Sequence, residues 1–464
     1  MGDVDLDDGG LFLVGGVVKS RLTNADRQIV QDHLASLLQV HNLVILFGSG
    51  ASFHLGSPKT RELKNSAVED LVKCAGMALD ETDHSLLALL NPTDNGDLEK
   101  LLNGLQLAAT LASQSAIEEV TLGSGDGARA FLVSDVEQLR DKINAALAFA
   151  CRLPADGAQL NAPYDEDPLW AHRTFLSRLV RSRRGNLPRP KVFTTNYDLV
   201  IERSLDQLGY PYIDGFSGTV NRKLNLAYYG LDFHRVETSS QNVVARADNA
   251  LYLHKIHGSL NWRASLEKDV ATGIESLEVL QVADDSAGPG QRVLIYPTTA
   301  KEGDTLSYPY SDLLRLLGDA VQQDDTAVIS IGYGFADPHI NRILLRSLAT
   351  NPALNVLVAD PFAVLGDSEM SSAQAQADIV GRNLKDAGYT PRSTALGSLA
   401  SGADSRIAVL TGESGKFVNL AELLPDPALG SSLSSPAAII SLIESLEQAA
   451  KVVAAPASPG GAKE

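Results

Sequence analysis

The chain has 464 residues, 44% of them apolar, and its acidic residues exceed its basic ones by 57 − 39 = 18. That length can bury a large core, while that charge opposes direct, sequence-independent binding of nucleic acid, which needs Lys and Arg to displace counterions. Two cysteines give no disulfide framework, and no run reaches the ~20 apolar residues that span a bilayer, so no membrane association is expected.

Residues 1–10 are acidic and Gly-rich without a basic-plus-apolar leader, which predicts a loosely attached N-terminus and a cytoplasmic protein. Leu11 to Val18 predicts a strand, one suited to assembly, so residues 1–23 read as a partly disordered N-terminal arm. Asn24 as N-cap, with Ile29, Val30, Leu34, Leu37 and Leu38 at helical spacing, predicts a helix from Ala25 to Val40. Leu43-Val-Ile-Leu-Phe47 then reads as a buried strand running into Gly48-Ser-Gly-Ala-Ser52. Glycines there let the backbone turn sharply, and unblocked N–H groups leading into a helix N-terminus can cradle a pyrophosphate. Phe53 stands where the dinucleotide fingerprint has its third glycine, and a tight turn without a ligand accounts for the same residues.

Arg61 to Asp167 is Ala- and Leu-rich and predicts a mostly helical insertion, with Gly123 to Gly127 as a loop. The basic group Arg178, Arg181, Arg183, Arg184, Arg189 and Lys191 reads as a solvated helix end, or as a partner contact. Three more apolar runs end in polar groups or glycines: Val192 to Asp198, Leu251 to Gly258, and Thr326 to Gly334. Strand ends of that kind are where an open α/β sheet binds its ligand. Between them, Leu199, Val200, Leu205 and Leu208 predict a helix closed by Gly209. Val293 to Pro297 and Leu354 to Asp360 predict two further strands, and Asp284 to Gly290 a turn. Beyond 361 the composition turns Ala/Ser/Gly-rich, with an amphipathic helix at Ala438 to Val453 and a Pro/Gly/Ser tail from 454.

Taken in order, Gly48, Gly50 and Ser52, then Asn196 and Asp198, then His257 and Gly258, resemble the sirtuin superfamily. Gly56-Ser-Pro58 sits where sirtuins carry a cofactor-loop Gly-x-Pro. Gly332-Tyr-Gly-Phe-Ala-Asp-Pro-His-Ile-Asn341 is similar to a segment of the sirtuin-like NAD hydrolases of bacterial defence systems. The resemblance spans about residues 43–360. It implies a Rossmann-like α/β fold: a parallel sheet flanked by helices, with a helical insertion and a smaller C-terminal appendage. The expected units are an NAD-binding catalytic domain at 24–360, with its insertion at about 61–167, a subdomain at 361–453 for assembly or docking, and a disordered tail at 454–464.

The deacylases of that superfamily carry a zinc ribbon of four cysteines, which Cys74 and Cys151 cannot supply. Thr195 stands where the family motif has glutamine. Both departures point to hydrolysis of the dinucleotide rather than deacylation, with NAD+ as substrate and no metal. By resemblance, Asn196 orients ribose hydroxyls or a water, and His257 accepts a proton from a ribose hydroxyl. Asp198 binds the carboxamide side of nicotinamide, or caps the helix that starts there. Gly332 and Gly334 leave room for the adenosine half, and Asp360 meets an adenosine hydroxyl. Asp337 and His339 lie at a helix start, where capping competes with a site role. His254 is read as structural, since strand alternation turns it away from His257.

The implied activity is cleavage of the nicotinamide–ribose bond by a NAD-depleting effector of anti-phage defence. Such an effector needs restraint, so a homo-oligomer and a protein partner are expected, relatives pairing with a hexameric ATPase translocase, an Argonaute-like protein or a ligand-sensing domain. The alternatives are a non-catalytic NAD or ADP-ribose-binding assembly module, and a deacylase or ADP-ribosyltransferase.

Overall fold

A computed structural model describes residues 10–20, 27–57, 65–91, 101–102, 104–105, 107–109, 117–123, 127–154, 167–236, 244–268, 273, 275–283, 292–294, 308–364, 380–383 and 395–426. Pro58, the turn at 284–290, the helix expected at 438–453 and the tail from 454 lie outside these residues.

The described strands are, in chain order, β1 (Gly10–Val14), β2 (Val17–Ser20), β3 (Asn42–Phe47), β4 (Glu119–Leu122), β5 (Arg129–Leu132), β6 (Lys191–Thr194), β7 (Tyr212–Ile213), β8 (Phe216–Ser217) and β9 (Arg222–Leu224). They continue with β10 (His234–Val236), β11 (Val244–Arg246), β12 (Leu251–Lys255), β13 (Gly258–Lys268), β14 (Glu275–Gln281), β15 (Arg292–Leu294), β16 (Thr326–Ile331), β17 (Leu354–Ala359) and β18 (Ile407–Gly412).

Nine strands form one sheet in the order β2-β1-β18-β17-β16-β3-β6-β12-β7. From β18 to β7 every pairing is parallel, and only β1 runs the other way, antiparallel to both β18 and the edge strand β2. Read from the middle, β12-β6-β3-β16-β17-β18 is the 3-2-1-4-5-6 order of a doubly wound dinucleotide fold, and the strand order reverses beside β3.

Period-two alternation explains why the core strands are apolar throughout. Leu43, Ile45 and Phe47 of β3 pack on one face with Val192, Ile329 and Leu357. Helices Arg27–Leu38, Trp170–Arg181, Val200–Leu208 and Phe417–Leu423 cover that face through Leu34, Phe175, Ile201 and Leu420. Val44 and Leu46 turn to the other face with Phe193, Val328 and Val358, under helices Tyr310–Val321 and Pro338–Thr350. Trp262 and Val279 join that second core from a five-stranded sheet, β15-β13-β14-β9-β8, of which only the strand at Val293 was expected.

The described part of the insertion holds helices Asn65–Cys74, Glu81–Leu90 and Val133–Ala150 around their own apolar cluster. Between them lies a β4–β5 hairpin, where only helix and loop were expected.

Two expectations are corrected. The strand near the N-terminus is no separate arm: it forms a hairpin paired to this chain's own β18. A boundary at residue 360 would cut the sheet, because β18 pairs with β17 and helix Phe417–Leu423 packs into the central core. Ile407, Val409 and Leu410 are buried there, so the sheet extends well into the segment expected to be an appendage.

In the basic cluster Arg181 and Arg184 are exposed, as a solvated helix end would have them, but Arg178 and Arg183 are engaged within the protein. Arg178 donates to Ala421 O (3.0 Å), Glu422 O (2.8 Å) and Leu424 O (3.2 Å) at the end of the helix Phe417–Leu423. Arg183 donates to Leu38 O (2.7 Å), Val40 O (3.1 Å), His41 O (2.9 Å) and Pro188 O (2.9 Å). These guanidiniums satisfy carbonyls that helix ends leave without partners. Burial lowers Arg183 to about 10, with Arg246 adding to the effect.

Candidate functional site

The site lies at the carboxyl ends of β3, β16, β6 and β12, beside the reversal of strand order. β3 ends at Phe47, and Ser49–Leu55 follow as a short 3₁₀ helix, closed by Gly56 in the left-handed region (φ 86°). Gly56 is therefore accounted for by the cap itself.

Gly48 and Gly50 meet the loop after β16 backbone to backbone. A Cβ on Gly48 would lie 2.6 Å from Gly332 O, and one on Gly50 2.7 Å from Gly332 Cα. Gly48 N–H donates to Ile331 O (2.9 Å), Gly50 N–H to Gly332 O (3.0 Å) and Ala51 N–H to Gly48 O (3.0 Å). These three amides are spent within the protein, so the glycines serve loop-on-loop packing and the cradle expected of them is not formed by these groups. A Cβ on Gly334 meets nothing within 4 Å, so there the chain leaves open space.

Ser52, Asn196 and Asp198 come together as the sequence reading grouped them. Thr195 N–H donates to Phe47 O (3.0 Å), which carries the loop after β6 against the glycine turn. Asn196 donates through Nδ2 to Ser52 Oγ (3.2 Å), and Ser52 donates to Asp198 Oδ2 (3.0 Å). Asp198 Oδ1 accepts from Val200 N–H (3.1 Å), the first amide of the helix Val200–Leu208, which is the capping role weighed for this residue. The chain Asn196–Ser52–Asp198 fixes which way the asparagine amide points.

A buried lysine supports this chain from below. Lys255 Nζ donates to Asp198 O, Tyr197 O (3.3 Å) and Glu202 Oε1 (2.9 Å). Burial raises the carboxyls of Asp198 and Glu202, and Lys255 pulls both back. Burial, with Asp198 nearby, also pushes the Cys151 thiol up to about 12, far from a nucleophilic thiolate.

His257 stands in the two-residue turn between β12 and β13, ahead of Gly258 at φ 88°. Ile256 N–H donates to Thr194 O (3.0 Å) and Leu260 N–H to Tyr197 O (3.0 Å), so this turn is tied to the Asn196 loop on either side. His257 is 7% exposed, and its Nε2 lies 3.3 Å from Asp337 Oδ2. Asp337, for which capping competed with a site role, is thereby brought beside the histidine. Asp-Pro-His-Ile signals a capped helix start, and nothing local shows that the second carboxylate oxygen reaches His257.

His254 points away as expected, stacked between Phe193 (4.2 Å) and Tyr229 (4.1 Å). Burial lowers it to about 3. His339 sits at the start of helix Pro338–Thr350 and its N–H donates to Asp337 Oδ1 (2.8 Å). Asp360 lies at the end of β17, where Oδ1 accepts from Phe362 N–H (2.7 Å). Its strand is separated by β16 from β3, and by β16 and β3 from β6, which leads to Asn196.

Among the described residues no helix is long and apolar enough to cross a membrane. Residues 190–386 match the SIR2-like domain family, a stretch that contains Asn196, Asp198, His257, Gly332, Gly334, Asp337 and Asp360. No curated protein matches the chain. Among solved structures, a Sir2 homologue in complex with NAD is 15% identical, over 71% of this chain and 82% of that one, with a TM-score of 0.29. A serine-to-alanine variant of a Sir2 homologue in complex with ADP-ribose is 14% identical, over 85% and 99%, with a TM-score of 0.30.

Proposed function

We propose that the chain is a NAD+ nucleosidase, cleaving the nicotinamide–ribose bond to give nicotinamide and ADP-ribose. The observation that carries this reading is the placement of an asparagine amide, oriented through Ser52, and a histidine on adjacent strand ends of a SIR2-like segment. The C–N bonding pair departs with neutral nicotinamide and leaves a cation-like sugar carbon. Asn196 orients the ribose hydroxyls or the incoming water. His257 takes the proton of a ribose hydroxyl as positive charge develops, and returns it once water has added and released its own proton to solvent. The open space at Gly334 admits a backbone-close ligand, and Asp360 on the same edge is suited to an adenosine hydroxyl.

Two cysteines cannot build a four-thiolate zinc ribbon, which favours hydrolysis over peptide deacylation. The biological role is that of a NAD-depleting effector in anti-phage defence, held inactive in an oligomer or by a protein partner such as a hexameric ATPase. The test is nicotinamide release with and without an acetyl-lysine peptide. Equal release in both supports the hydrolase; release only with peptide makes it a deacylase and overturns the reading.

A further inference from the structure

Asp337 does more than a helix cap requires. Its Oδ1 alone accepts from His339 N–H (2.8 Å) and Ile340 N–H (3.2 Å), which completes the N-cap of helix Pro338–Thr350. Its Oδ2 is directed to His257 Nε2, 3.3 Å away, from an element remote in sequence. Both side chains are buried, Asp337 at 3% and His257 at 7% exposure. The segment that carries Asp337 is latched in place. Tyr333 Oη donates to Asp337 O (3.2 Å) and to Asn341 Oδ1 (3.1 Å), and Asn341 Nδ2 donates to Phe335 O (2.8 Å). Phe335 itself is held at φ 52°, a conformation that a bulky residue keeps only when its surroundings impose it.

A neutral imidazole has one N–H and one lone pair, and a fixed carboxylate beside one nitrogen selects where the proton sits. We propose that Asp337 is a positioning residue for His257: it accepts the Nε2 proton, leaves the lone pair on Nδ1 for the ribose hydroxyl, and stabilises the imidazolium formed when that proton is taken up. The proposal rests on the nucleosidase reading for its substrate, but the geometry of the pair does not depend on it. The helix cap thus serves as the orienting partner of the base, the role an aspartate plays behind a catalytic histidine in other folds.

Asp337→Asn and Asp337→Ser both keep an oxygen able to cap the helix while removing the charge, so they separate capping from positioning. Nicotinamide release and the side-chain ¹⁵N shifts of histidine-labelled protein are measured for both variants and wild type. The expected result is a fall in kcat of about 10²-fold with KM for NAD changed less than about threefold, and loss of the Nε2–H tautomer of His257, at a denaturation midpoint close to wild type. Asp337→Asn with wild-type kcat, or an unchanged His257 tautomer, overturns the proposal. Should wild type release no nicotinamide, the nucleosidase reading falls, and the tautomer alone then decides the role of Asp337.

Discussion

Gly332→Ala puts the packing of the two site loops to a quantitative test. Gly332 sits at φ 59°, and a Cβ there would lie 2.4 Å from Ala51 N and 2.5 Å from Gly50 C. Both neighbours are backbone atoms, so no side chain can swing aside. The left-handed conformation costs about 1–2 kcal/mol for an L-residue. Forcing a methyl into filled space costs about 1–3 kcal/mol more, and stretching the Gly50 N–H bond to Gly332 O about 1 kcal/mol. The expected destabilisation is about 3–6 kcal/mol, read from urea unfolding as a lower midpoint at constant slope. Turnover falls too, because the displaced segment carries Ser52 and with it the orientation of Asn196. Gly334→Ala is the internal control: its Cβ meets nothing, so stability stays within about 0.5 kcal/mol while KM for NAD rises. Equal stability of Gly332→Ala and wild type, or equal losses in the two variants, would refute the packing argument.

Arg178→Ala removes the guanidinium that donates to Ala421 O and Leu424 O and shares Glu422 O with Arg27, and is expected to cost about 1–3 kcal/mol, measured by the same unfolding assay. Acid should destabilise the fold through its buried neutral histidines. His54 is lowered to about 4 and His254 to about 3, each by burial first, and burial with His54 nearby lowers His172 as well. Below the unfolded value the unfolded chain binds protons that these sites refuse, so stability is lost as pH falls from about 6.5 towards the folded values. His254→Phe keeps a ring between Phe193 and Tyr229 and removes one such site, so its stability relative to wild type should rise by about 2 kcal/mol from pH 7 to pH 5. Asp198 and Glu202, raised by burial, act in the opposite sense and cancel in that comparison. A relative stability that does not change with pH would show that His254 is not held neutral.

The central sheet was legible because its strands are buried on both faces and therefore read as unbroken apolar runs, as at Leu43–Phe47 and Thr326–Ile331. Gly209 closes its helix at φ 65° as its position after Leu208 suggested. Ser52, Asn196 and Asp198 were found by motif order, and they share hydrogen bonds. What stayed hidden depends on partners remote in sequence. Leu11 and Leu13 announce a strand but not β18 as its mate, and β18 lies among Ala, Ser and Gly residues that carry little signal. Arg178 and Arg183 look like solvent-facing charge until the carbonyls they satisfy are in view. Asp337 looks like a cap because it is one, and its second oxygen speaks only in three dimensions.

Chromatography of NAD incubated with purified wild type, Asn196→Ala and His257→Ala, each with and without a candidate ATPase partner, tests the central claim most directly. The account predicts nicotinamide and ADP-ribose from wild type, turnover lower by about 10²–10⁴-fold in both variants, and unchanged folding of all three. Full turnover in both variants, or tight NAD binding by wild type with no product in any condition, would contradict it.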